Sequence, residues 1–301
     1  MVSTMALLGV DWGTTNRRAY LLDEQGNCIR QHEDEKGMLA ERGRFAWSLA
    51  ALRSAMGAPA EVPVILSGMV GSAQGWQEVP YLADAVALEA LPHHLAPVRE
   101  MAGCFIVPGY MRRGLVSDVM RGEETQMLGA ISLGHGDGWY LLPGTHSKWV
   151  RIENGRMAYW STFMTGELYA MLSREGTLSA LLQQSAPEDE ADFDAGLALA
   201  QQGLPLSHAL FTVRAAIVSG AMDAGRARGY VSGLLIGSEF AAIGGTESRP
   251  SAVRVLGSAG LAPRYLRAAA QFGLQATTLD PHQTYCAALA RFAAEGAAYV
   301  R

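Results

Sequence analysis

Apolar residues in this chain fall in short runs separated by polar turns, and one arrangement of runs and turns occurs twice. Leu7–Asp11, Ala19–Leu22 and Cys28–Gln31 read as three antiparallel strands joined by turns. The first turn carries Gly13-Thr14-Thr15, and the second is Asp23-Glu24-Gln25-Gly26. The stretch Leu141 to Asn154, LLPGTHSKWVRIEN, repeats the plan of Leu8 to Asp23, LGVDWGTTNRRAYLLD. Each is an apolar run, a Gly-Thr turn, a basic residue, a second apolar run and a hairpin-like turn. Arg156–Thr162 then completes a second meander.

The rest of the chain alternates between the two periods expected of strands and helices. Arg44–Met56 has helical spacing. Pro63–Leu66 is a short buried strand ending in the small-residue loop Ser67–Ser72, and Gly103–Val107 is another, ending at Pro108-Gly109. Ser117–Ile131 predicts a helix leading into the second Gly-Thr arrangement. Helices follow over Gly166–Glu175, Ala191–Gln201, Ser207–Arg228 and Val231–Ile243. Ala252–Leu256 is a buried strand followed by Gly257, and Pro263–Phe272 and His282–Tyr299 are helices. The order describes a mixed α/β protein with an approximate internal duplication. At 301 residues, two lobes are the natural division, with the cleft between them as the default ligand site.

Composition narrows the function. The chain is 49% hydrophobic and 18% charged, as a globular protein is. A net charge of −5 gives no basic footprint for nucleic acid. No apolar run is long enough to span a bilayer; Val231 to Ile243 is interrupted by Gly237, Ser238 and Glu239. The opening MVSTMALLGV lacks the charged region of a secretory signal. Cys28, Cys104 and Cys286 match neither a zinc spacing nor a disulfide framework, so reduced thiols in a cytoplasmic protein are expected.

The two turns are where the chemistry concentrates. A strand–turn–strand of this kind directs backbone N–H groups and hydroxyls into a concavity suited to phosphate oxygens. Gly13 allows close approach of backbone, and Thr14 and Thr15 offer hydroxyls. Asp11, at the end of the first strand, can hold Mg²⁺ against phosphates. Lys148 is one of only two lysines among 24 basic residues, and it follows Gly144-Thr145-His146-Ser147. Neither GxxxxGK[ST] nor a Rossmann GxGxxG occurs, which removes the two commonest nucleotide-binding routes. In the helix expected over DVMRGEETQMLGAI, Glu123 and Glu124 fall about 50° either side of the centre of the apolar stripe, with Asp118 opposite. Carboxylates bordering a buried face need partners or a role, and one of them facing the cleft would serve as a catalytic base. Gly68, Met69 and Gly71, with Trp76 as an aromatic wall, and the Gly257-Ser258-Ala259-Gly260 loop each permit close approach of a ligand.

Taken together, VDWGTTNRRAYL, SGMVGSAQGW, VMRGEETQMLGA, LPGTHSKWV, FMTGELYAML and SGLLIGSEF resemble the 2-dehydro-3-deoxygalactonokinase family of the sugar kinase/actin/Hsp70 superfamily. The resemblance runs from about Leu8 to the last helix. It implies a two-lobed, ribonuclease H-like (actin-like ATPase) α/β duplication. The expected lobes are residues 1–115 and 116–280, with a helix at 281–301 packing back on the first. It also implies ATP- and Mg²⁺-dependent phosphorylation of 2-dehydro-3-deoxy-D-galactonate at its 6-hydroxyl, a step of the De Ley–Doudoroff pathway. By the same resemblance, Asp11, Gly13, Thr14 and Thr15 form the first phosphate loop, with Asp11 the metal ligand. Gly144, Thr145, Ser147 and Lys148 form the second, and Gly257 and Ser258 fall at the adenosine loop. Related sugar kinases carry a catalytic acid, usually Asp, at the start of the helix before the second loop. Here that stretch offers Glu124 and Glu123, and the helical-face argument favours Glu124. Arg17 and Arg121 are expected to meet the carboxylate of the sugar acid.

Alternative functions are a kinase for the epimeric gluconate-derived acid, a non-catalytic sugar or nucleotide sensor on the same fold, and a phosphohydrolase. The last would suit a strongly basic groove, which two lysines do not suggest. A homodimer stays open.

Overall fold

The computed structural model describes residues 5–184, 189–246 and 249–296. By internal contact the chain divides into two units. The first takes in the chain up to Asp137, then Arg151–Tyr159 and the stretch from Asp280; the second holds Gly138–Val150 and Trp160–Leu279.

The first unit opens with β1 (Met5–Trp12), β2 (Arg17–Asp23) and β3 (Cys28–Asp34), followed by α1 (Phe45–Ala55) and β4 (Val64–Ser67). Short strands β5 (Leu82–Ala83), β6 (Ala96–Pro97), β7 (Cys104–Ile106), β8 (Tyr110–Arg112) and β9 (Asp118–Met120) precede helix α2 (Glu123–Ser132). A six-stranded sheet runs β3-β2-β1-β4-β7-β6. β1 pairs antiparallel with β2 and parallel with β4, so Asp11 lies opposite both Arg18 and Ser67. β1, β2 and β4 bury nearly every side chain described on them, and Leu8, Val10, Leu21, Val64 and Leu66 form a core with Phe45, Leu49 and Leu52 of α1. β3 is an exposed edge carrying Arg30, His32, Glu33 and Asp34, a charge pattern that discourages further strand pairing.

The second unit repeats the topology. β10 (Gly138–Leu142), β11 (Ser147–Glu153) and β12 (Arg156–Phe163) form the second meander, of which contact gives Arg151–Tyr159 to the first unit. Helices α3 (Thr165–Arg174), α4 (Ser179–Gln184), α5 (Glu190–Ala200), α6 (Leu206–Val218) and α7 (Ala227–Gly244) follow. β13 (Ala252–Val255), α8 (Ala262–Gln271) and β14 (Gln275–Thr278) complete it. Its five-stranded sheet runs β12-β11-β10-β13-β14, with β10, β13 and β14 parallel. Third, second and first meander strands followed by two parallel strands is the order of β3-β2-β1-β4-β7 as well, so the duplication is architectural. The last helix, α9 (Pro281–Gly296), belongs to the first unit, packs on α2 and buries Thr284, Tyr285, Ala288, Leu289 and Phe292.

Two predicted helices are shorter than expected. Ser117–Ile131 is β9 followed by α2; Gly122, at φ 111°, breaks the chain between them, so Asp118 lies on a strand rather than opposite the glutamates on a helix. Ser207–Arg228 stops at Val218, beyond which Gly220 at φ 75° turns the chain. The end of His282–Tyr299 lies outside the described residues. Among the described residues no helix is long and apolar enough to cross a membrane.

Candidate functional site

In the first unit, the Gly13–Asn16 turn joins β1 to β2 and is tied down on its carbonyl side. Met38, Leu39 and Gly37 donate backbone N–H groups to the carbonyls of Gly13, Thr14 and Thr15 at 2.8, 3.1 and 2.9 Å. The amides of exposed Thr14 and Thr15 have no hydrogen-bond partner among the described residues. The turn thus presents donors outward, as an anion site requires.

Asp11 is the penultimate residue of β1, next to this turn, with its side chain 25% exposed and the Arg18 guanidinium 3.8 Å away. Burial raises its pKa to about 6; Arg18 opposes the rise, and the carboxylates of Glu123 and Glu33 add to it. Two glycines bring Glu123 close enough for that effect. Gly68, at φ 86°, lies so near the end of β1 that a Cβ there would be 2.8 Å from the Trp12 carbonyl and 3.3 Å from Asp11 Oδ1. Gly122, at φ 111°, lies so near Gly68 that a Cβ on it would be 3.2 Å from Gly68 Cα. Both dihedrals fall in the region that favours glycine, the contact at Gly68 leaves no room for a side chain, and that at Gly122 is tight. Asp11, Gly68, Gly122 and Glu123 therefore form one constellation at the carboxyl end of β1 and β4.

The two glutamates opening α2 have different surroundings. Glu124 is fully buried, and the Gly122 N–H donates to both its oxygens at 2.8 and 2.7 Å. Burial lifts its pKa to about 8, Glu123 adds to the rise, and the backbone donors and Arg121 oppose it. With no exposed surface, Glu124 is not placed to meet a substrate hydroxyl. Glu123 is half-buried and accepts the Arg121 backbone N–H at 3.2 Å.

The two arginines also differ from each other. Arg17 is consumed internally: its guanidinium makes a bidentate pair with Asp34 at 3.2 and 2.6 Å and donates to Ser48 Oγ at 2.8 Å, over the ring of Trp12. Arg121 donates from Nη2 to the Val79 carbonyl at 2.7 Å and stacks on Tyr81, against the bare Cα of Gly71. Its Nε and Nη1 are buried with no hydrogen-bond partner. Met69 and Trp76 pack on the core, where Trp76 stacks against Phe45 and donates to Glu100, so Trp76 is an inner wall of the unit.

In the second unit the Pro143–His146 turn joins β10 to β11. Among the described residues the amides of Gly144, Thr145 and His146 have no partner, and Thr145 is exposed. The start of α3 clasps this turn. Glu167 donates its backbone N–H to the Thr145 carbonyl at 2.9 Å, and its carboxylate meets His146 Nε2 at 2.6 Å. Gly166 lies so close that a Cβ would be 2.5 Å from the Gly144 carbonyl. Gly257 approaches from β13, where a Cβ would be 3.3 Å from Pro143, and the Ser258 carbonyl accepts the first amides of α8. Gly144, Thr145 and Gly257 are thus brought together. Ser147 points inward to Glu239 at 2.7 Å, and Lys148, buried on the strand, donates to Thr162 at 3.3 Å.

Several participants were given no role from the sequence. Glu239 stands in SGLLIGSEF as a lone acid in an apolar helix. Tyr285 reaches from α9 to Ser67 Oγ at 2.7 Å, beneath the strand end that bears Gly68. Gly166 and Gly122 read as ordinary glycines.

The sequence profile of the 2-keto-3-deoxy-galactonokinase family matches residues 11–292. The chain belongs to that family. It is 35% identical over 287 residues to a probable 2-dehydro-3-deoxygalactonokinase of Rhizobium meliloti, covering 93% of this chain and 94% of the relative. It is 32% identical over 278 residues to the 2-dehydro-3-deoxygalactonokinase of Escherichia coli, covering 92% and 93%. A crystal structure described as a 2-dehydro-3-deoxygalactonokinase from Sinorhizobium meliloti superposes with a TM-score of 0.87 at 34% identity, covering 97% of this chain and 99% of that one. Component A of the (R)-2-hydroxyglutaryl-CoA dehydratase of Acidaminococcus fermentans, at 12% identity and a TM-score of 0.51, shares the fold. The chain is accordingly a kinase on an actin-like α/β fold.

Proposed function

We propose that this kinase transfers the γ-phosphoryl group of ATP to the 6-hydroxyl of 2-dehydro-3-deoxy-D-galactonate, in the cytoplasm, as a step of galactonate breakdown. One observation carries the reading beyond family membership. In each unit a Gly-Thr turn follows the first strand of the sheet and holds amides with no partner among the described residues. Each such cradle suits a phosphate group, and a nucleoside triphosphate is the phosphate donor that a kinase needs.

The residues fit a magnesium ion. Mg²⁺ usually takes one or two carboxylates and completes its shell with phosphate oxygens and water. Burial raises the pKa of Asp11, and Glu123 and Glu33 add to the rise; a cation bound there would favour its charged form. Bound there, Mg²⁺ supplies charge neutralisation on the phosphates. Thr14, Thr15 and Thr145 donate to phosphate oxygens, and the Gly257-Ser258 loop takes the nucleoside.

Glu123 is the base in this proposal. The acceptor hydroxyl oxygen bonds to the γ-phosphorus, its proton passes to Glu123, and the bond to the bridging oxygen breaks to release ADP. Glu124, enclosed and anchored on Gly122, holds the start of α2 so that Glu123 faces outward. Arg121 is the partner for the sugar-acid carboxylate, supported by its two unpaired buried nitrogens; such nitrogens are costly until an anion satisfies them.

The test is a coupled assay of ADP release with ATP and each of the two epimeric keto-deoxy acids. The expected result is turnover with the galactonate-derived acid, giving its 6-phosphate, and kcat/KM at least about tenfold lower with the gluconate-derived acid, because a misplaced hydroxyl leaves polar groups unpaired. ATP hydrolysis indifferent to either acid would sink the proposal.

A further inference from the structure

Glu239 lies on α7 and is 1% exposed. Its partners come from three other elements of the same unit. Oε2 accepts from Ser147 Oγ at 2.7 Å and Trp149 Nε1 at 2.9 Å, and Oε1 accepts from the Tyr265 hydroxyl at 2.7 Å. The Thr165 hydroxyl adds a further hydrogen bond. All four donors are neutral. Burial pushes the carboxyl pKa up, and these hydrogen bonds pull it back. An apolar residue would fill a helix interior at lower cost than a carboxylate held this way.

What the donors share is the Gly144–His146 turn. Ser147 is the first residue of β11 after that turn, and Trp149 is two residues further along the same strand face. Thr165 opens α3, whose next residues Gly166 and Glu167 hold Gly144 and Thr145 from the other side. Tyr265 is on α8, which starts after the Gly257-Ser258 loop. One carboxylate therefore binds strand, helix start and α8 into a single frame around the turn.

We infer that Glu239 is a positioning residue for nucleotide binding, holding Ser147 and Thr165 so that the amides of Gly144 and Thr145 stay aimed at one phosphate. The inference rests on the reading of this turn as a phosphate cradle. Glu239 touches no ligand itself; its effect passes through β11 and α3.

The experiment compares Glu239→Ala and Glu239→Gln with the parent chain, by calorimetric binding of ADP and by kinetics with ATP and acceptor varied separately. Loss of an outer partner that orients a binding group is worth about tenfold or more, so Glu239→Ala should raise the ADP Kd and the ATP KM by that factor. The acceptor KM should stay within about twofold, since the frame lies in the second unit only. Glu239→Gln should recover most of the affinity: its carbonyl keeps Ser147 and Trp149, and the hydroxyls of Tyr265 and Thr165 can turn to accept from its amide. Should Glu239→Ala fail to fold, the pair Tyr265→Phe and Thr165→Val removes two donors with little change in volume and should weaken ADP in the same direction. A lowered Tm with unchanged nucleotide constants in the folded variants, or equal rises in both KM values, overturns the inference. Gly166→Ala, which presses on Gly144 directly, separates the two readings. If it weakens ADP and the Glu239 variants do not, only the positioning role falls. If neither affects ADP, the cradle and the role fall together.

Discussion

The backbone N–H of Gly122 donates to both carboxylate oxygens of Glu124, at 2.8 and 2.7 Å, in a place where neither oxygen reaches water. A charged group so enclosed is held mainly as the neutral acid, and its pKa of about 8 expresses that. The folded chain then binds a proton that the unfolded chain releases above about pH 4.5, so stability falls as pH rises through the interval up to about 8. Asp11 and Glu239, also raised, act in the same sense. Thermal unfolding followed between about pH 5 and pH 8 should show Tm dropping by several degrees, and Glu124→Gln should flatten that slope. An unchanged slope in the variant would show that Glu124 is ionised throughout.

Glu123→Gln should lower kcat by about 10²- to 10⁴-fold, the usual contribution of a general base. KM values for both substrates should change little, because the amide keeps the size of the side chain. A kcat within about tenfold of the parent would move the role to another group.

Gly68→Ala should cost about 1–3 kcal/mol, since it combines a positive φ with a Cβ that collides with the Trp12 carbonyl. Gly43→Ala is the matched control: it has φ 81° and nothing within 4 Å of the added carbon. Urea unfolding of both separates backbone strain, common to the two, from collision, specific to Gly68. Equal losses would mean that the close approach of Gly68 to β1 has no energetic consequence.

Asp11→Asn should raise the Mg²⁺ concentration for half-maximal activity by about tenfold or more, as loss of a charged ligand does. In the parent, that concentration should also climb as pH falls through about 6, where Asp11 takes up its proton. Metal titrations at three pH values read both effects. Acidification thus favours Asp11 in the fold and disfavours it at the metal. A Mg²⁺ requirement independent of both pH and Asp11 would remove it from the site.

The parts of this fold that were legible from sequence are those in which burial writes a pattern. β1, β2, β4 and β10 are apolar runs bounded by Gly-Thr or small-residue turns, and the repeat of those turns exposed the duplication. β14, Gln275–Thr278, is mostly exposed and polar, so its place in the sheet left no hydrophobic trace. The α2 boundary was hidden because Val119 and Met120 continue the apolar spacing of the helix, and only the dihedral of Gly122 ends it. The ion pair of Arg17 was hidden because it is set by strand register: Asp34 lies directly opposite on β3. Glu239 was visible as a charge in an apolar helix, but its meaning depends on side chains from β11, α3 and α8 that no local pattern connects.

The packing of α9 has a consequence for how the molecule is made. Leu289 fills the space left by the missing side chain of Gly9, Gly129 lies against the backbone of Thr284, and Tyr285 closes on Ser67. β1 therefore waits for α9, which is made after the whole second unit, before its own half of the protein is complete. Until then the apolar faces of β1 and α2 are open to chaperones or to aggregation. A chain cut short before residue 281 should accumulate as insoluble material even though the entire second unit has been synthesised.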